Sequence, residues 1–215
     1  MFMLTKDIGF PPVELAGEDG LLAIGGDLRP ERVLAAYELG IFPWYNEGEI
    51  IQWHAPDPRF VLFPDELLIS KSMERLMRKN NFIFSSNKAF VQVMENCRDV
   101  NRPGQSGTWI HEDVMNAYKK LHDLGYAHSA EVWQDNKLVG GLYGIRLGKV
   151  FFGESMFSLV SNASKYTFIK YVQLLKEQNV ILIDCQVYTE HLKSLGAVMI
   201  SRKDFSRLLQ KFAVG

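Results

Sequence analysis

Cysteine is scarce. Only Cys97 and Cys185 occur in 215 residues, and neither belongs to a Cys-x-x-Cys pair. That argues against a disulfide framework. The five histidines (His54, His111, His122, His128 and His191) show no ligand spacing, so no zinc motif is expected. No run of about 18 apolar residues occurs, and the opening MFMLTKDIGFPP is too poor in apolar residues for a secretory leader. The expectation is a reduced, cytoplasmic protein with no membrane partner. Charge of one sign is not in excess either: 24 Lys and Arg stand against 25 Asp and Glu, a formal net charge of -1. A general polyanion binder needs a strong basic excess, so any contact with nucleic acid must be a local patch. Internal repeats, low-complexity tracts and the HExxH, GxSxG and Walker-type loops are missing too.

What is present is an ordinary globular balance, 47% hydrophobic and 23% charged. The length suits one large domain or two small ones. The first part is loop-rich, with one helix that opens at Pro30 and stops before Gly40. IFPWYNEGEIIQWHAPDPRFVLF, residues 41–63, is dense in aromatics and proline and reads as irregular backbone. A small unit is expected over 1–58 and a larger one over 59–215. In the second, Ser70 or Ser72 caps a short helix to residue 79, residues 82–84 form a strand, and helices cover 87–96 and 111–124. A three-stranded antiparallel meander runs over 129–154, turning at Asp135-Asn136 and Leu147-Gly148. A long helix from Ser161 or Asn162 to about Glu177, a buried strand ending near Gln186, a short helix at 190–195, a strand at 197–201 and a last helix at 203–212 complete the chain. This order predicts an α+β fold, a mixed sheet flanked by helices.

The apolar run Val180-Ile181-Leu182-Ile183 ends in Asp184, Cys185 and Gln186. Alternation puts Asp184 and Gln186 on one face, at a strand end where ligands collect in α/β sheets. Such a pair either grips an amine and helps it lose a proton, or caps the strand end, Asp184 accepting backbone N–H groups of the next turn. Glu154, in FFGESMF, is a carboxylate among large apolar residues. It must be ion-paired, shifted in pKa, or set against a cationic substrate. The start of the long helix, SNASK, reads as a phosphate site or as plain capping. Trp44, Trp53 and Trp109 sit in Pro- or Gly-flanked loops and either stack a nucleic-acid base or pin a loop to the core.

Taken in order, GLLAIGGDL (20–28), AYELGIFPWY (36–45), APDPRFVLFP (55–64), GTWI (107–110), AHSAEVW (127–133), LVGGLYG (138–144), FGESMFS (152–158), NASK (162–165) and DCQV…EHLKSLGA (184–197) resemble the bacterial leucyl/phenylalanyl-tRNA–protein transferases over nearly the whole chain. The resemblance implies a small N-terminal domain and a GNAT-like C-terminal domain. It implies transfer of Leu or Phe (also Met) from aminoacyl-tRNA to a protein beginning with Arg or Lys, which marks that protein for N-end-rule degradation. No metal, ATP or other cofactor is implied, since the ester is already activated. Asp184 and Gln186 match the family's catalytic pair, Asp184 polarising Gln186 and Gln186 holding the incoming amine. Glu154 matches the carboxylate that binds the cationic N-terminal residue. Met156, Phe168, Tyr171 and Ile183 are expected to line the Leu/Phe pocket. Trp44, Trp109, Tyr37 and Tyr118 match positions near the tRNA 3′ adenosine. The chain departs from the family pattern at Leu159, where Arg is common, and at Thr189, where Asn is common. A GNAT-type acyl-CoA N-acyltransferase is the competing reading, although SLVSNASK lacks that family's glycine-rich pyrophosphate loop. A non-catalytic module that binds the tRNA end is the third.

Overall fold

The computed structural model describes residues 2–79, 81–100 and 108–213. Strands β1 (Phe2–Leu4) and β2 (Leu21–Gly25) come first, then helix α1 (Pro30–Glu38) and strands β3 (Phe42–Pro43) and β4 (Gln52–His54). These four strands form a small sheet in the order β1-β2-β4-β3. Trp53 ties it together, its ring buried and its Nε1 donating to the Gly25 carbonyl at 2.9 Å. Helix α1 begins at Pro30, whose missing N–H costs nothing in a first turn, and presents Val33, Ala36 and Tyr37 to the core. It stops at Gly40, at φ 78°, where a Cβ would come within 2.8 Å of the Phe205 ring.

The rest of the chain is β5 (Arg59–Leu62), α2 (Lys71–Arg78), β6 (Ile83–Ser86), α3 (Phe90–Asp99), α4 (Glu112–Asp123), β7 (Ala127–Gln134), β8 (Lys137–Leu147), β9 (Val150–Ser158), α5 (Ala163–Glu177), β10 (Leu182–Gln186), α6 (Glu190–Lys193), β11 (Val198–Ile200) and α7 (Arg202–Phe212). Among the described residues its seven strands form one mixed sheet, β11-β5-β10-β9-β8-β7-β6, parallel only between β9 and β10. Alternation along the central strands separates two cores. Phe152, Leu182 and Val61 join the side that packs the small sheet, α1, α3, α4 and α7. Phe151, Ile183, Phe60 and Leu62 join the side covered by α5. No helix among the described residues is long and apolar enough to cross a membrane.

Three expectations need correction. Residues 41–63 are not irregular, because β3, β4 and the whole of β5 lie in them. Each is only two to four residues long, and Pro43, His54 and Arg59 hide the strand pattern. The helix expected at 87–96 runs instead from Phe90 to Asp99. Its start is capped from another strand: buried Glu131 takes the N–H groups of Lys88 and Ala89, at 3.2 and 3.3 Å. The third meander strand does not end at Glu154 but continues to Ser158.

That last difference creates the site. Tyr143 pairs with Ser155 and Gly144 with Gly153, so Glu154 is the extra residue of a bulge in β9. Asp184 pairs with Val61 and Gln186 with Phe60, so Cys185 is the extra residue of a second bulge, in β10. The parallel pairing of β9 and β10 ends at Phe152 and Asp184, though both strands run on. An opening is left where Glu154 and Gln186 stand.

Candidate active site

Asp184 is fully buried on β10 and meets Arg59 from β5. Arg59 Nε donates to Oδ1 at 2.8 Å and Nη2 to Oδ2 at 2.6 Å, a two-pronged ion pair. The guanidinium lies between the rings of Phe42 and Phe205, 4.7 and 4.8 Å from their centroids. Asp184 Oδ1 also accepts the backbone N–H of Gln186 at 2.9 Å. This bond holds Gln186 at φ 62°, a left-handed conformation that non-glycine residues seldom adopt. So held, the Gln186 side chain reaches β9, where Nε2 donates to Glu154 Oε1 at 2.9 Å.

Glu154 has no cationic partner among the described residues. Instead the hydroxyl of Tyr37 lies 2.6 Å from Oε1, that of Tyr118 lies 3.0 Å from Oε2, and the two hydroxyls are 2.6 Å apart. Burial pushes the Glu154 carboxyl up to about 7. The tyrosine donors pull against this shift, negative Asp184 adds to it, and the Gln186 amide opposes it. Burial raises both tyrosines well above their ordinary value, so they keep their protons.

Two cavities meet at Trp109, Glu154, Gln186 and Val187. One, of about 550 Å³, is an aromatic cleft that includes Trp44, Tyr45 and His54. The other, of about 780 Å³, is more apolar and includes Met156, Phe168 and Ile183. A carboxylate and an amide therefore stand at the junction of a stacking surface and an apolar pocket.

Two family models match the chain: leucyl/phenylalanyl-tRNA protein transferase over residues 61–210, and the N-terminal domain of the same transferase over 26–57. The chain belongs to this family. It is 58% identical to the leucyl/phenylalanyl-tRNA–protein transferase of Flavobacterium johnsoniae, over 98% of this chain and 99% of that one. It is also 58% identical to the Syntrophus aciditrophicus enzyme of that name, over 97% of this chain and 87% of the relative. Among solved structures, a GCN5-related N-acetyltransferase from Kribbella flavida aligns over 67% of this chain and 55% of that one, at 10% identity and a TM-score of 0.39.

Within this member of the family, Glu154, Gln186, Met156, Phe168, Ile183, Trp44 and Trp109 all line the two cavities. Trp44 is 47% exposed and can offer a ring face to a base. Asp184 borders the apolar cavity but has no accessible surface, and it reaches Gln186 through the backbone N–H, not the side-chain amide. Tyr171 was expected in the pocket; it packs edge-on against Phe151 at 5.1 Å and lines neither cavity. Tyr37 and Tyr118 were expected beside the tRNA 3′ end; both are fully buried and turn their hydroxyls onto Glu154. Thr189 caps α6 by accepting the Leu192 N–H at 3.2 Å, a task Asn performs equally well, and Leu159 is 57% exposed. Sequence reasoning missed Arg59. Its signal was an arginine opening the apolar run RFVLF, a charge that burial would force to find an acid.

A raised carboxyl has a stability signature. The folded-state value near 7 lies above the ordinary 4.5, so between those two values the folded chain holds a proton that the unfolded chain has lost. This contribution is full below pH 4.5 and is lost as pH rises through about 7, about 3 kcal/mol in all. Glu154→Gln is therefore expected to gain on the wild type between about pH 5 and pH 8, read as urea midpoints. An equal gap at both pH values would rule the raised carboxyl out.

Proposed function

We propose that the chain transfers a leucyl or phenylalanyl group from its tRNA to the α-amine of a protein beginning with Arg or Lys, forming a peptide bond. The observation that carries this reading is the meeting of an aromatic cleft and an apolar cavity at Glu154 and Gln186. The terminal adenosine stacks on Trp44 and Trp109. The leucyl or phenylalanyl side chain enters the apolar cavity beside Met156, Phe168 and Ile183, and the adaptable Met156 accepts branched and aromatic groups alike. The acceptor's cationic end is drawn to Glu154, and Gln186 orients the amine toward the ester. The ester is already activated, so placement and proton removal make up most of the barrier. Residues 1–58 supply the outer wall of the cleft and 59–215 the reacting groups. Family membership supports the donor and the acceptor class.

The test is transfer of labelled leucine or phenylalanine from tRNA to peptides beginning with Arg, Lys or Ala. Transfer is expected to the first two alone; equal transfer to the Ala peptide would overturn the acceptor assignment. Met156→Ala enlarges the cavity and is expected to move the phenylalanyl-to-leucyl ratio of kcat/KM up by about 10-fold. An unchanged ratio would remove this cavity as the side-chain pocket.

A further inference from the structure

Three oxygen–oxygen contacts close a ring at the site: Glu154 Oε1 to Tyr37, Tyr37 to Tyr118, and Tyr118 to Glu154 Oε2, at 2.6, 2.6 and 3.0 Å. Contacts of this length are hydrogen bonds, and each needs one hydrogen. The two hydroxyls supply two. With Glu154 ionised, one contact has none, and two oxygens face each other with lone pairs alone. A third hydrogen on Glu154 fills the ring. Glu154 then donates to one tyrosine, that tyrosine to the other, and the second tyrosine back to Glu154. Gln186 donates to Oε1 from outside the ring and suits either state.

We propose that the Glu154–Tyr37–Tyr118 ring is the proton acceptor of the transfer reaction, with Glu154 as the general base and the two tyrosines as positioning residues. This rests on the proposed function above. In the step, ionised Glu154 takes one proton from the acceptor's α-ammonium, and the ring closes around it. The freed nitrogen lone pair forms the C–N bond to the aminoacyl carbon as the C–O bond to the ribose breaks. A second nitrogen proton leaves with the ribose oxygen. Glu154 then returns its proton to water through the open cleft.

The other groups facing this point leave the task to Glu154. Asp184 on β10 has no accessible surface and is ion-paired through both oxygens to Arg59 of β5, whereas Glu154 lines both cavities. Burial pushes the Cys185 thiol up, and negative Asp184 adds to that, so it stays protonated. Tyr45 is pushed up to about 12 by burial. His54 of β4 also lines the cleft, and burial lowers it, but it has no hydrogen bond into the ring. The Glu154 value of about 7 fits a base that works near neutrality.

Two readouts test this on the intact protein. The first is the infrared band of a protonated carboxyl, taken as a difference from Glu154→Gln across about pH 5.5 to 8.5. The second is the pH profile of kcat/KM for transfer to a peptide beginning with Arg. The expected result is a band that disappears as pH rises through about 7 and an acidic limb of kcat/KM at the same pH. Tyr37→Phe and Tyr118→Phe should move band and limb together, with KM for aminoacyl-tRNA little changed. Glu154→Gln should lose the limb and about 10²–10⁴-fold in kcat. Transfer with no titrating band, or a limb unmoved when the ring is opened, overturns the ring and leaves the proposed function standing. No transfer by the wild type at any pH overturns the function itself, and this role with it. Should the tyrosine variants fail to fold, coincidence of band and limb in the wild type decides.

Discussion

Arg59→Ala is expected to lose about 3–5 kcal/mol of stability and all measurable transfer. The loss follows from what stays behind: Asp184, fully buried, would be left with no cation to pair with. Arg59→Lys should recover only part, because an ammonium cannot hold both carboxylate oxygens, nor lie flat between Phe42 and Phe205. Asp184→Ala should be equally damaging, for the opposite reason. The double substitution Arg59→Met with Asp184→Leu separates fold from chemistry. Replacing both charges with apolar groups removes the unpaired ion and should restore most of the stability. Transfer should stay lost, because the Gln186 backbone N–H then has no Asp184 oxygen to hold it in place. Urea unfolding and the transfer assay, run side by side, read both halves. Arg59→Ala within about 1 kcal/mol of the wild type would mean that the ion pair does not support the site.

This pair also marks the limit of what the sequence discloses. The α+β organisation, the meander and helix α5 follow from periods of 2.0 and 3.6 that any local window displays. The turn at Asp135-Asn136 is written in two residues that tolerate positive φ, and both adopt it, at 49° and 58°. The polar end of β10 was visible because Asp184 and Gln186 interrupt an apolar run. Their partners were not. Arg59 lies 125 residues from Asp184, and the two tyrosines come from α1 and α4, 81 residues apart. No local pattern records that two helices far apart in the chain aim their hydroxyls at one carboxylate. The bulges were hidden for a related reason. Strict alternation assumes even pairing, and the extra residues at Glu154 and Cys185 appear only once neighbouring strands are in register.

Gln186 invites a comparison of two small substitutions. Both Gln186→Ala and Gln186→Gly remove the amide that donates to Glu154. Both should lower transfer by roughly 100-fold or more, since a positioned donor at the reacting centre is lost. They differ in the backbone. At φ 62° an alanine Cβ crowds the following carbonyl, and a glycine has none. Gln186→Gly should therefore be about 1 kcal/mol more stable than Gln186→Ala while no more active. Such a result would show strain kept at this position for the sake of the side chain it carries. Equal stability of the two variants would remove the strain, and transfer within a tenth of the wild type by either would remove the amide from the mechanism.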